Sequence, residues 1–542
     1  MTEVKRVFKV DGKPFFPLGG QTNNSSGYSS KQSETAFKAV KLLHGNTLEI
    51  PVYWNQIEPK QGVFDFTSVD ALLAHAHKYD IKLIILWFAT WKNGNMDYAP
   101  DWVKTNPAKY KRVISPTGKP IWVLSSHCKA NQEADKKAFA ALCKYLKTKD
   151  STDRAVIGFQ LQNESGIMGS DRDYSPEAQA IFDSAVPAKL VTAMKKRGKG
   201  AVHDMWQQAG GKASGSWPEL FGWEGGEFMT AWSLAVYINS IAEAGKAVYD
   251  LPMYINVWII GQNWWPIPGE AYPSGGAVLK VLDIYKWFTP HVDMISPDMH
   301  IADSKNYDAV CAGYARDDNP FFNPETGGAG NSHAWNMFRA IADYNGLGDF
   351  FFGVEKVIAE DGSARPENQT VVDSVRCTAA VIPLLLKYQG TGKVHAVIQE
   401  DLLNSYLMEF DGYTGLIEFG DRKPGYNGKD WEHTAYGVRT EIVNPNRGRG
   451  LIIQAGKNEF YMVGANYRVF LRPDSATENS QRRLAIADHA PKLPGWHLVS
   501  VDEGYFDKNG EFIINKRRNG DEVDPATWVE PDCGVIRVIT CD

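Results

Sequence analysis

The chain contains no stretch of about 18 apolar residues, so no membrane-spanning helix is expected of it. Met1 to Lys13 holds no apolar run of the signal-peptide kind, and a removed export signal would leave no trace, so the cytoplasm and the periplasm both remain open as compartments. The six cysteines, Cys128, Cys143, Cys311, Cys377, Cys533 and Cys541, show no C-x-x-C spacing and no pairing with histidine, which leaves zinc and thioredoxin-like chemistry without support. Cys533 and Cys541 lie near enough in sequence to pair across a terminal β-structure, a bond that sequence does not establish. A formal net charge of −6 offers no basic field, so neither nucleic acid nor a membrane surface is an expected partner. No strand-borne G-x-G-x-x-G followed by an acidic residue occurs, which sets aside a dinucleotide dehydrogenase. Internal repeats, low-complexity tracts and long linkers are absent as well.

What the chain does have is length and aromatic side chains. At 542 residues it exceeds what one hydrophobic core organises, so a catalytic domain with at least one smaller companion is expected. The composition, 43% hydrophobic and 23% charged, is that of a globular protein. Seventeen Trp and 23 Tyr are many, and tryptophans gather in loop-like stretches at Trp87/Trp91, Trp258 and Trp264/Trp265. Core packing accounts for any one of them. Sugar rings, however, present flat C–H faces to aromatic rings while their hydroxyls seek Asn, Gln and carboxylates, and Trp beside Asn or Gln supplies both.

From residue 14 to about 390, short apolar runs ending in polar or Gly-rich loops alternate with helical patterns such as Ser33–Leu43 and Val69–Lys78. The strands read as Phe15–Gly19, Thr47–Val52, Lys82–Trp87, Val156–Leu161, Met253–Trp258, Met294–Pro297, Pro320–Asn323 and Phe350–Val357, with an eighth helix over Thr370–Lys387. Eight such units predict an α/β fold, a closed (β/α)₈ TIM barrel, over residues 1–390. An insertion at about 165–250, with its own helical stretch Thr230–Ala247 and a Gly/Trp-rich loop at Trp217–Gly226, would open on the catalytic face. Beyond residue 390, Leu403–Phe410, Gly415–Phe419, Gly450–Ile453, Phe460–Val463 and Tyr467–Leu471 are short alternating runs, which predict a C-terminal β-sandwich over 391–542.

Glycosidic cleavage needs one protonated carboxyl for the leaving oxygen and one ionised carboxyl for the anomeric carbon. Glu164 closes the apolar run Ile157-Gly158-Phe159-Gln160-Leu161-Gln162-Asn163-Glu164, and Glu325 closes Phe321-Phe322-Asn323-Pro324-Glu325. Strands four and seven face each other across an eightfold barrel, so two glutamates 161 residues apart in sequence can meet over one pocket. Their mutual repulsion would keep one of them protonated. Glu355, after Phe350-Phe351-Phe352-Gly353-Val354, is the rival nucleophile, but it belongs to strand eight, which does not oppose strand four.

The Asn163-Glu164 pair closing strand four resembles the hallmark of the glycosidase clan whose two carboxylates follow strands four and seven. More narrowly, Trp54-Asn55-x-x-Glu58-Pro59-x-x-Gly62-x-Phe64-Asp65-Phe66, Ala99-Pro100-Asp101-Trp102, Gln160-Leu161-Gln162-Asn163-Glu164-Ser165-Gly166 and Pro324-Glu325-Thr326 look like the β-galactosidases of glycoside hydrolase family 35, with family 42 as the nearest relative. The resemblance covers about residues 10 to 360. It implies a retaining double displacement that releases terminal β-galactose from a plant-type oligo- or polysaccharide without a metal or other cofactor. Carried over by position, Glu164 would be the acid/base, Glu325 the nucleophile, and Asn163 a partner of the sugar 2-hydroxyl. Ala89-Thr90-Trp91 stands where many members have Ala-Glu-Trp, Pro51 with Tyr53 nearby where a Tyr is usual, and His300 where a Tyr commonly orients the nucleophile.

Further substrate-binding candidates follow from position: Gln21 and Asn24 at the end of strand one, Glu49 on strand two, Trp87 and Trp91 at strand three, and Trp258 and Trp264 at strand five. Glu224, Glu227 and Glu400 are further carboxylates near aromatic residues. The competing readings are a β-glycosidase of the same clan acting on glucan, mannan or an arabinopyranoside, endo or exo, and a carbohydrate-binding protein without catalysis. Assembly into a homo-oligomer is compatible with every reading.

Overall fold

A computed structural model describes residues 6–260, 266–327, 333–400, 405–419, 447–474, 497–523 and 526–541. Eight parallel strands close into a barrel: β1 Leu18–Gln21, β2 Thr47–Tyr53, β3 Lys82–Lys92, β4 Val156–Asn163, β5 Met253–Val257, β6 Met294–Met299, β7 Asn323–Thr326 and β8 Asp349–Phe352, with β8 returning beside β1. Eight helices alternate with them: α1 Ser30–Leu42, α2 Thr67–Tyr79, α3 Lys129–Asp150, α4 Gly225–Val248, α5 Leu282–Phe288, α6 Ser304–Tyr314, α7 His333–Ala342 and α8 Gln369–Ala380. Strands covered by helices outside and by side chains inside are buried on both faces, which is why Thr47–Tyr53 is buried at all seven positions. Ile84, Ile157, Tyr254, Met294, Phe322 and Phe350 fill the lower lumen, and Phe8, from an N-terminal hairpin pairing Phe8–Val10 with Lys13–Phe15, packs with them.

The element boundaries differ from expectation where local chemistry intervenes. The run Phe15–Gly19 is divided by Pro17, which has no N–H for a ladder: Phe15 ends the hairpin and β1 begins at Leu18. The apolar run Pro320–Asn323 is the approach to β7 rather than the strand, because Phe321 and Phe322 are core residues and the ladder starts at Asn323. β8 stops at Phe352 because Gly353 turns left-handed (φ 73°) into a 3₁₀ turn, Val354–Val357. The stretch Thr230–Ala247, read as part of an insertion, lies within α4, the barrel's own fourth helix. Between β4 and α4 stand the short helices Pro176–Asp183, Ala188–Arg197, Ala201–Gln208 and Trp217–Phe221. The predicted eighth helix is broken after Ala380, and a second helix, Ile382–Tyr388, starts with Pro383 in its first turn.

The C-terminal part forms two antiparallel sheets. One has six strands, in the order β9 Val394–Ile398, β12 Arg449–Gly456, β13 Glu459–Ala465, β18 Val535–Cys541, β15 His497–Phe506 and β16 Phe512–Arg518. The other has four, in the order β10 Ser405–Phe410, β11 Tyr413–Phe419, β14 Tyr467–Pro473 and β17 Thr527–Val529. Tyr413, Ile417 and Val469 of the smaller sheet share a core with Ile452, Phe460, Met462 and Val538 of the larger. Cys533 and Cys541 do not pair. Cys533 lies in the turn before β18 and Cys541 ends it, and the extended strand from Val535 to Cys541 alone spans about 20 Å.

Candidate active site

The C-terminal ends of the barrel strands bring Glu164, Glu325, Asp298, Asn163, Asn256, Lys92 and His300 together. β4 ends in an unusual backbone: Gln162 (φ 62°) and Glu164 (φ 44°) are both left-handed without being glycine. Each such residue costs about 1–3 kcal/mol and persists only when its surroundings hold it there. Here they do. Gln162 accepts from Trp91 N (3.0 Å) and donates to Asp135 (2.6 Å), while Glu164 N donates to Asn256 Oδ1 (2.9 Å). The twist turns the carboxyl of Glu164 into the barrel mouth, where Glu164 is 8% and Glu325 6% exposed.

Asp298 is the third carboxyl. It lies on β6 in register with Glu325 on β7 and accepts from Asn256 Nδ2 at 2.8 Å. Three acids in one buried mouth cannot all ionise. Burial, then the charge of Glu325, pushes Glu164 up to about 7, against the pull of the Lys92 ammonium. Burial, then the charges of Glu325 and Glu164, pushes Asp298 well above the usual carboxylate range. Glu325 is anchored differently: His300 Nε2 lies 3.1 Å from Oε1, and Oε2 has no hydrogen-bond partner among the described residues. Burial disfavours the imidazolium of His300, but the contact with Glu325 outweighs it and raises the His300 pKa. One carboxyl is thus poised to give a proton near neutral pH and another has a buried oxygen with no partner among the described residues, which is the division of labour that acid-assisted displacement at a glycosidic carbon requires.

The other candidates sort by depth. Asn163 is fully buried, accepts from Gln160 (3.1 Å) and Asn256 (3.2 Å), and donates to Asn93 (3.3 Å), so it braces the Glu164 turn. Gln21 reaches across to Glu49 (3.2 Å) and to the Pro324 carbonyl (3.3 Å) beside Glu325. Glu49 itself is withdrawn from substrate: it is 0% exposed, its oxygens taken by the Tyr254 hydroxyl (2.8 Å) and Gln21, and burial pushes its pKa well above the ordinary range. Trp91 is likewise a wall residue, 0% exposed, stacked edge-on against Tyr237 with Nε1 donating to Leu124 O. Trp87 is equally buried. Asn24 is exposed, and its carbonyl anchors Tyr53 OH at 2.7 Å. Trp258 is half-buried just past β5, and Trp264 lies outside the described residues.

The rival, Glu355, accepts from Asn23 N (3.2 Å), Asn23 Nδ2 (3.0 Å) and Ser26 Oγ, and so clamps the loop after β1. Glu224 pairs with Lys280 at 2.8 Å, Glu227 pairs with Lys280 and Tyr272, and Glu400 pairs with Arg339 and Arg447. Sequence reasoning missed Asp298, Asn256 and Lys92. Asp298 satisfied the criterion applied to the glutamates, a carboxylate at the end of a barrel strand. Lys92 was hidden because β3 runs five residues past the apolar stretch that marked it.

Among family models, one of glycosidases matches within the barrel part of the chain. A glycoside hydrolase family 42 model, described as β-galactosidase, matches residues 25–210, a span that includes Glu164 and ends before Glu325. The match is to family 42 and not to family 35, toward which the motifs leaned. A domain of unknown function (DUF5597) matches residues 376–530. No curated protein matches the chain. Among solved structures, the β-amylase catalytic domain of Paenibacillus polymyxa aligns at 13% identity with a TM-score of 0.49, over 67% of this chain and 98% of that one. The β-galactosidase of Bacillus circulans sp. alkalophilus aligns at 14% identity with a TM-score of 0.47, over 68% of this chain and 57% of that one. That of the Antarctic haloarchaeon Halorubrum lacusprofundi aligns at 14% identity with a TM-score of 0.47, over 67% of this chain and 58% of that one. The chain therefore spans little more than half the length of these two galactosidases.

Proposed function

We propose that this glycosidase is a retaining, exo-acting β-galactosidase that works by double displacement, with Glu325 as nucleophile and Glu164 as acid/base. The observation that carries the proposal is the asymmetry between the two carboxyls: Glu164 is pushed to about 7, and Glu325 has one oxygen against His300 and one without a partner among the described residues. In the first step Glu325 Oε2 forms a bond to the anomeric carbon as the glycosidic C–O bond breaks, and the Glu164 proton passes to the departing oxygen. In the second, the Glu164 carboxylate takes a proton from water, the hydroxide oxygen bonds to the same carbon, and Glu325 leaves as a carboxylate. Two inversions retain the anomeric configuration.

His300 acts by donating to Oε1, which fixes the Glu325 carboxyl and keeps its other oxygen aimed. Asn163 and Asn256 hold the turn that presents Glu164. The choice of galactose rests on the family 42 match and on the sequence motifs, and we propose the non-reducing end of a plant-type oligo- or polysaccharide as the natural substrate. A panel of nitrophenyl glycosides tests this. Hydrolysis of the β-galactoside above the β-glucoside, β-mannoside and α-arabinopyranoside, with β-galactose as the first product, is the expected result. Turnover of none of them, or release of oligosaccharides alone from a polymer, would overturn it.

A further inference from the structure

Trp122 is 44% exposed, yet it is held in place. It belongs to a hairpin, Arg112–Ile114 with Pro120–Leu124, in the loop after β3, and loops after barrel strands open on the catalytic face. Two contacts tie that hairpin to the acid/base. Gly94 N donates to the Glu164 carbonyl (3.2 Å), and two residues further on Met96 N donates to the Trp122 carbonyl (3.1 Å). On the other side Ile121 lies against Gly169, where a Cβ would stand 3.7 Å from Ile121 Cδ1, in the loop that follows Glu164. The indole is fixed by its own bonds: Nε1 donates to Asp97 Oδ1 at 2.9 Å, and the Arg112 guanidinium sits 4.8 Å from the ring centroid.

An indole oriented by a carboxylate and a guanidinium but left in contact with water gains little from burial, so packing alone does not account for it. Trp223 is more exposed, at 83%, but its ring meets Lys280, and among the described residues no hydrogen bond of its side chain reaches the Glu164 loop. We propose that Trp122, Asp97 and Arg112 form the subsite for the leaving group, and that the leaving group is itself a sugar. A pyranose ring packs its C–H face on the indole, and its hydroxyls meet the Asp97 carboxylate and the Arg112 guanidinium. The inference rests on the double-displacement reading, because the departing oxygen leaves on the side of the proton donor, and Trp122 is anchored to the Glu164 loop rather than to Glu325.

Two donors with the same galactosyl group and different leaving groups test it: a β-galactosyl disaccharide and methyl β-galactoside, whose leaving group needs the same proton from Glu164 but carries no ring. The measured quantity is the ratio of kcat/KM on the disaccharide to kcat/KM on the methyl galactoside. Trp122→Ala is expected to lower that ratio about tenfold, as loss of one ring-sized apolar contact should. Trp122→Phe should fall between Trp122→Ala and wild type. A ratio unchanged in Trp122→Ala, whether both rates fall together or neither falls, overturns the subsite while leaving the double displacement standing. Wild-type protein inert on both donors would instead overturn the double displacement, and the subsite with it.

Discussion

The barrel lumen and the C-terminal sheets bury acids in opposite ways. In the lumen Glu49, Glu164, Asp298, Glu325 and Asp349 crowd together with few cations, and burial holds Asp349 up at about 7 and Glu49 and Asp298 higher than carboxylates ordinarily stand. In the sheets the buried Asp502 meets two guanidiniums, Arg517 at 2.7 Å and Arg537 at 3.1 Å, and Arg518 pairs with Glu503 and Glu530. Burial alone would raise Asp502, but the guanidiniums overcome it and its pKa is lowered. Paired charges fix one geometry and stay ionised. Like charges packed together keep protons that can be given away. The sheets use buried charge to hold a shape, and the lumen holds protons in reserve for chemistry.

The sharpest way to break this contrast is to remove the nucleophile. Glu325→Gln should cut turnover of a nitrophenyl β-galactoside by on the order of 10⁴-fold. It should also move the Glu164 titration down from about 7 toward the ordinary range without reaching it, because burial is the larger cause and remains. Carboxyl-region infrared titration of the variant reads this directly. A Glu164 midpoint that does not move would mean that the two acids do not share one field. In wild type the same proton predicts a kcat/KM that declines as pH rises through about 7, since the acid works only while protonated.

Asp349→Asn probes the lumen without touching the mouth. Asp349 accepts from Asn323 at 2.6 Å and is fully buried. Its folded pKa of about 7 exceeds that of an unfolded aspartate, so its contribution to stability is fully present below about pH 4 and is lost as pH rises through 7, a loss of a few kcal/mol over that range. The Asn variant should therefore match wild type at pH 4 and exceed it at pH 7 in urea denaturation. Curves that run parallel across that range would show that Asp349 does not titrate there.

Asp298 separates a neutral acid from a charged one. If the carboxyl is protonated in the working enzyme, Asn reproduces it, since its amide also accepts from Asn256 and donates toward Glu164. Asp298→Asn should then lose less than about tenfold in kcat/KM, and Asp298→Ala, which strands Asn256, about 10²-fold. Equal losses would place a negative charge at Asp298.

These residues also mark how far the sequence could be read. The barrel was legible because apolar runs ending in loops carry their own signature, although the seventh run marked only the approach to β7, and the two glutamates stood out as candidates because they close such runs. Direction was not legible. Glu49 and Trp91 sit on strands buried on both faces, where the alternation that tells inside from outside is lost, so membership of a strand said nothing about whether a side chain meets the pocket or the wall. The sheet strands β15 to β18 were missed for a related reason: Phe512–Arg518, for instance, is an exposed edge strand whose Asn, Lys and Arg residues read as loop.

Asp502 gives the smallest effect and the opposite sign. Because its pKa is lowered in the fold, its contribution is present above the ordinary aspartate range and is lost as pH falls through it, the reverse of Asp349. Arg517 is 55% exposed and remains solvated when its partner is removed, so Asp502→Ala should cost only about 1–2 kcal/mol at pH 7. The difference from wild type should shrink on acidification toward pH 3, while turnover per folded molecule stays at the wild-type level. Equilibrium denaturation at pH 3, 5 and 7 measures this beside the Asp349 variant. If both variants changed stability in the same direction with pH, the distinction between an acid held neutral by crowding and one held ionised by guanidiniums would fail.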